Sequence, residues 1–278
     1  MNGYRPSGFS ILPPVVKNLI IINGLMFLAT IALPIDLIDL LGLHYFASEK
    51  FKTYQLITYM FMHGGLAHIF FNMFAVWMFG NAIENLWGGQ KFLAYYIITG
   101  LGAAFTHYLI VHFQIQPMLV VINDYISTPD PDKLSAFLDS EYFKVASNEI
   151  LQHFNEFKEE YNFLLHSGNT EKALTLSVSF MEQYKTDYLN AHVVVGASGS
   201  LFGILLAFGM MFPNQHIFLM FFPFPIKAKY FVMIYGAIEL FSGLRNSPED
   251  NVAHFAHLGG MLFGFILIKL WKTKRSDY

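Results

Sequence analysis

Six apolar runs of near-membrane length recur along these 278 residues, interrupted once by a long polar stretch. A helix needs roughly 20 mainly apolar residues to cross a hydrocarbon core of about 30 Å. The runs are Val15–Leu33, Thr58–Ile83, Phe92–Val111, Val193–Phe212, Tyr230–Leu244 and Val252–Trp271. The fifth is short and needs local thinning of the bilayer or burial by its neighbours. Lipid offers no partner to loose backbone groups, so the brief turn Trp87–Lys91 joins the second and third runs as an antiparallel hairpin. With 54% hydrophobic and 13% charged residues, the chain cannot hide its apolar surface from water. The expected fold is an all-α membrane protein, a bundle of six transmembrane helices.

The same composition removes several function classes. A net charge of −3 gives no basic surface for nucleic acid. The absence of cysteine excludes disulfide frameworks, thiolate zinc sites and cysteine nucleophiles. The first ten residues lack a short apolar stretch ending in a small-residue cleavage site, so the first span is expected to be retained.

Between Gln114 and Asn190 the composition turns polar, with twelve acidic residues against five lysines from Asp124 to Asp187. Apolar residues return there at helical spacing: Leu134, Phe137 and Leu138, then Ile150, Leu151, Phe154, Phe157, Tyr161, Leu164 and Leu165. Gly168-Asn169-Thr170-Glu171 predicts a break before another helix through Ala173, Leu176, Phe180 and Tyr184. The expected organisation is a membrane core over 1–113 and 191–278, with 114–190 as a helical insertion outside the bilayer. Between the fourth and fifth spans, Pro213–Lys229 is apolar, and its paired prolines predict an interfacial loop. Lys227, Lys229, Lys269, Lys272, Lys274 and Arg275 place their segments, and with six spans both termini, on the cytoplasmic side. The insertion then lies outside, and a bacterial cytoplasmic membrane fits the compact plan.

Two polar residues at one depth carry the candidate chemistry. Ser198 lies in Gly196-Ala197-Ser198-Gly199-Ser200-Leu201-Phe202-Gly203, about six residues into the fourth span. His257 lies about six residues into the sixth, so at 1.5 Å per residue both sit roughly 9 Å below the outer face. Serine attacks only when a base takes its proton, and a neutral buried histidine is the commonest such base. No acidic residue occurs within the sixth span to orient the imidazole, although aromatic stacking could hold it. The second span carries His63, then His68 and Asn72 four apart on one face, where a carboxamide and a ring N–H could serve a developing oxyanion. His254, three residues before His257, is a supporting or water-access residue. Gly260 and Gly264 match Gly199 and Gly203 as small surfaces for close approach of the fourth and sixth helices. That packing would bring serine and histidine together. Taken alone, the Gly-x-Ser-Gly stretch reads as a packing motif. Glu84, at the end of the second span, suits pairing or backbone bonding, and Glu239 has no role legible in the sequence.

Together, His63–Asn72, Gly80–Glu84, Gly196–Gly199 and Ala256–Gly264 resemble the rhomboid family of intramembrane serine proteases. The resemblance covers the six spans and not the insertion. It implies a rhomboid-like bundle with Ser198 as nucleophile, His257 as base, His68 and Asn72 on the oxyanion side, and His63 on the water-access side. It also implies single-span membrane proteins as substrates, a movable fifth span, and no cofactor or metal. Where many members have Trp-Arg in the first connection, this chain has Tyr54-Gln55, which leaves the packing of that loop open. Two other readings remain: an inactive rhomboid-like protein that binds membrane clients, and a metalloprotein using His63, His68, His254 and His257. The second lacks a His-Glu-x-x-His motif, and no carboxylate accompanies those histidines in their spans.

Overall fold

The structure is a computed structural model that describes residues 10–219, 222–245 and 252–272. Met220 and Phe221 of the expected interfacial loop, and Lys274 and Arg275 of the terminal basic cluster, lie outside the described residues.

The chain forms two compact units. One takes the residues up to Leu43, Lys52–His107 and the chain from Val194 onward; the other takes His44–Phe51 and Tyr108–Val193. The first unit opens with α1 (Pro14–Ala32), whose Pro14 arrives with a helix-ready φ. Both oxygens of Glu84 accept from the start of this helix, Val15 N–H at 2.9 Å and Val16 N–H at 2.8 Å. The carboxylate thus fills two orphan donors and faces the positive end of the helix dipole. Ile21, Leu25, Leu28 and Ile31 leave an apolar face of α1 uncovered, as a lipid-facing surface would.

After α2 (Leu37–Leu41) and α3 (Gln55–Thr58), a 3₁₀ turn at Tyr59–Phe61 ends the first stretch. The second span does not begin at Thr58 as its hydropathy suggests. Its helix starts at Leu66, because Gly65 is extended and Met62–Gly65 forms a loop ahead of it. That helix runs as α4 (Leu66–Ala75), a π-helical turn at Val76–Gly80, and α5 (Asn81–Trp87). Gly88, at φ +81°, makes the expected tight turn. Gln55 resolves the packing left open by Tyr54-Gln55: it is buried, donates to Leu40 O at 3.2 Å and accepts from Lys52 N–H at 3.1 Å.

The third span is longer than expected. α6 runs from Gly89 to Ser127 through Pro117, not from Phe92 to Val111. The reason is its second half, where Ile115, Met118, Ile122 and Tyr125 recur at three- and four-residue spacing and are buried in the core of the second unit. That core also receives α7 (Pro131–Leu138), α8 (Asn148–His166) and α9 (Thr170–Ala191). Asp130 caps α7, and Ser147 caps α8 through Ile150 N–H at 3.2 Å. Phe157 stacks on Phe180 with centroids 4.1 Å apart.

Returning to the first unit, α10 (Ser198–Met211) begins at the serine itself, five residues later than the expected span. The connection after it is a β-hairpin rather than a loop, pairing His216–Leu219 antiparallel with Phe222–Lys227. Alternation of proline and bulky residues over Phe222–Ile226 suits an edge strand, which needs no ladder N–H on its open side. α11 (Ala228–Arg245) and α12 (His254–Leu270) complete the unit. Among the described residues, three helical stretches, Pro14–Ala32, Leu66–Trp87 and Gly89–Ser127, are long and apolar enough to cross a membrane, and α10 and α12 are shorter apolar helices.

Candidate active site

Close packing of α10 on α12 builds the site. A Cβ added at Gly260 would overlap the carbonyl of Gly199, and one at Gly264 would meet Gly203 Cα at 3.4 Å. Gly199 and Gly203 also meet α6, at Ala103 and Thr99. These glycines leave the two backbones almost touching. One residue before Gly199 and one turn before Gly260, Ser198 and His257 come into contact: Ser198 Oγ lies 2.8 Å from His257 Nε2. Ser198 is the first residue of α10 and His257 lies within the first turn of α12, so each stands nearer the start of its helix than the six residues expected.

The local chain explains why this serine is free to react. Ala197 caps α10 without a side-chain hydrogen bond, and the first intrahelical bond runs from Leu201 N–H to Ala197 O. The N–H groups of the first turn, Ser198 included, therefore have no partner within the helix. Ser198 is partly exposed, whereas Ser200 is buried and its hydroxyl donates to Tyr96 O at 2.7 Å. Just upstream, Gly196 adopts φ +123° and its N–H donates to Tyr59 O at 2.9 Å. A side chain at Gly196 would strike His68 Nε2 at 2.7 Å and approach Asn72 Nδ2 at 3.7 Å. Its absence leaves a small space faced by both.

α4 carries His68 and Asn72, while His63 lies in the loop before it. Asn72 Nδ2 lies 3.1 Å from His63 Nε2, and the His63 and His68 rings meet edge-on with centroids 4.9 Å apart. His63 is 1% exposed, so in this arrangement it holds the carboxamide of Asn72 rather than opening to water.

Two groups fix the imidazole of His257. Phe202, one turn after Ser198 on α10, stacks on it with centroids 4.2 Å apart and planes 8° from parallel. Glu239 on α11 places Oε2 2.8 Å from His257 Nδ1 and 2.7 Å from His254 Nδ1. Sequence reading missed this carboxylate because it sits on another helix, eighteen positions away. The available signal was an acidic residue inside an apolar run, which is costly in lipid unless it is paired. No carboxylate accompanies the histidines within their own spans, but folding brings Glu239, from the fifth span, to two of them. Ligand atoms of Glu239, His254 and His257 lie within 4.8 Å of one another, a set that could hold a divalent cation.

The Rhomboid domain family model matches residues 50–119 and 163–273, stretches that contain every residue of the site. The chain is 26% identical over 236 residues to an uncharacterized mitochondrial rhomboid protein of Schizosaccharomyces pombe, covering 82% of this chain and 53% of that protein. It is 38% identical over 48 residues to the rhomboid protease GluP of Bacillus subtilis, covering 17% of this chain and 10% of that protein. The chain thus spans about half the length of the first relative and a tenth of the second. One relative is mitochondrial and the other bacterial, so they do not support the expected bacterial membrane. The family match and the membrane-length apolar helices together assign this chain to the rhomboid family of integral, multi-pass membrane proteins.

Proposed function

We propose that the protein is an intramembrane serine endopeptidase acting on single-span membrane proteins in or near the bilayer. The observation that carries this reading is the 2.8 Å approach of Ser198 Oγ to His257 Nε2 at the start of α10. Ser198 attacks a peptide carbonyl as its hydroxyl proton passes to His257 Nε2. The developing oxyanion accepts hydrogen bonds from the Ser198 backbone N–H, from Asn72 Nδ2 and from His68, beside the space left by Gly196. Collapse breaks the C–N bond, with the proton on Nε2 passing to the leaving amine. Water then enters, His257 takes its proton, and hydrolysis of the ester frees Ser198. In a membrane, six helical segments would span: α1, α4 with α5, the first half of α6, α10, α11 and α12.

The test is labelling of the purified protein with a fluorophosphonate, followed by mass mapping of the adduct. The expected result is an adduct on Ser198 in the wild type, none in Ser198→Ala, and a strongly reduced rate in His257→Ala. Folded wild-type protein that takes no label would overturn the serine reading in favour of a client-binding role. Loss of cleavage on chelation, restored by zinc, would favour the metal reading instead.

A further inference from the structure

We infer that Glu239 is a positioning residue for the base, its carboxylate fixing the tautomer and orientation of His257 so that Nε2 faces Ser198. This rests on the serine reading above.

The geometry supplies the argument. If His257 Nε2 is to accept the serine proton, Nδ1 must carry the ring hydrogen, and a neutral imidazole carries only one. Nδ1 lies 2.8 Å from Glu239 Oε2, and a carboxylate can only accept there. The contact therefore selects the reactive tautomer. It also neutralises the imidazolium that forms as Ser198 attacks. Phe202 cannot do either: stacking restrains the tilt of the ring but does not distinguish its two nitrogens.

Glu239 is itself held. It is 7% exposed, and its Oε2 accepts from a second ring, His254 Nδ1, at 2.7 Å. A carboxylate buried among apolar helices needs such donors to remain in place. The helix that carries it is seated against the other two by close contacts. Gly209 of α10 would meet Val232 of α11 at 2.7 Å if it carried a Cβ, and Gly243 of α11 would meet His254 Cβ and Phe255 of α12 at 3.0–3.2 Å. Glu239 therefore brings a third helix, α11, into the alignment of a pair carried by α10 and α12. A structural role alone would require burial and pairing, but not the approach of one oxygen to the nitrogen opposite the one that meets serine.

The experiment compares wild type, Glu239→Gln, His257→Ala and the double variant in detergent. It reads the rate of fluorophosphonate labelling of Ser198, kcat and KM on a single-span substrate, and the thermal unfolding midpoint. Glutamine keeps the size of the side chain but lacks the charge, and its amide can turn an N–H toward Nδ1, favouring the unreactive tautomer. The expected result is a fall in kcat and labelling of about a hundred- to ten-thousand-fold with KM and midpoint near wild type. The double variant should then label no more slowly than His257→Ala, since groups acting as one unit are not additive. Labelling of Glu239→Gln within threefold of wild type would overturn the inference. So would an additive double variant, or a loss of rate that tracks a lowered midpoint. A Ser198→Ala variant that still cleaves would instead sink the serine reading beneath it, so the two failures are distinguishable.

Discussion

The two serines of the α10 entrance stand two positions apart and differ in what their hydroxyls meet. Ser198 meets an imidazole nitrogen, and Ser200 meets the carbonyl of Tyr96. Ser198→Ala should abolish cleavage without changing helix content. Ser200→Ala should cost about 1 kcal/mol of stability for the lost buried hydrogen bond and keep turnover within a few-fold. Thermal unfolding and turnover measured on one preparation of each check both statements. Gly196→Ala is expected to be worse than its size suggests. It would force an L side chain to φ +123° at a cost of roughly 1–3 kcal/mol and drive a methyl into His68 Nε2, lowering the labelling rate along with the unfolding midpoint. At this scale Ser198, His257, His68 and Asn72 were legible because each is polar, sits in an apolar run and belongs to a motif. Glu239 was not, because it has no motif of its own. Its meaning lies in which helix α11 packs against, and spacing along one span does not carry that.

At the scale of the element, legibility followed local chemistry. The break at Gly168 was readable, and the structure gives it a mechanism. Asn169 N–H bonds to Leu164 O at 2.9 Å and Gly168 N–H to Leu165 O at 3.1 Å, with Gly168 at φ +75°. This is the paired closure that glycine permits at a helix C-terminus. Gly168→Ala should cost about 1 kcal/mol, seen as a lower unfolding midpoint. The length of α6 was missed because the change in composition after Val111 was read as the end of a helix. The apolar spacing Ile115, Met118, Ile122, Tyr125 continued through it toward a different core. The same core makes a pH prediction. Burial pushes Tyr184 from its ordinary value of 10.0 up to about 12, against the opposing effect of its contact with Lys144. Its hydroxyl accepts from Lys144 N–H at 2.8 Å. The neutral phenol is favoured in the folded state, so this contribution is complete below pH 10 and is lost as pH rises toward about 12. Titration followed by tyrosinate absorbance should therefore lose one late-ionising tyrosine in Tyr184→Phe, a variant whose stability falls less steeply over that window.

At the scale of the whole molecule, every residue of the candidate site belongs to the first unit, while the core around α7, α8 and α9 belongs to the second. Exposed substitutions on α8, such as Phe163→Ser, should therefore leave Ser198 labelling unchanged, whatever they do to the choice of substrate. Equal labelling rates for variant and wild type are the check. Apolar runs foretold an α-helical membrane protein but not the β-hairpin after α10, since alternating prolines and phenylalanines look the same as loop or as strand until a partner strand is known. The contact between Gly199 and Gly260 carries a last consequence. Because the nucleophile and the base each lie within a turn of that contact, the distance between them is a gauge of how tightly two helices are pressed together. A detergent, lipid or temperature that swells the bundle by a few tenths of an ångström would lengthen the Ser198–His257 hydrogen bond before it melts a single turn. Turnover should then fall while circular dichroism stays flat, and a thicker bilayer that squeezes the helices should restore it.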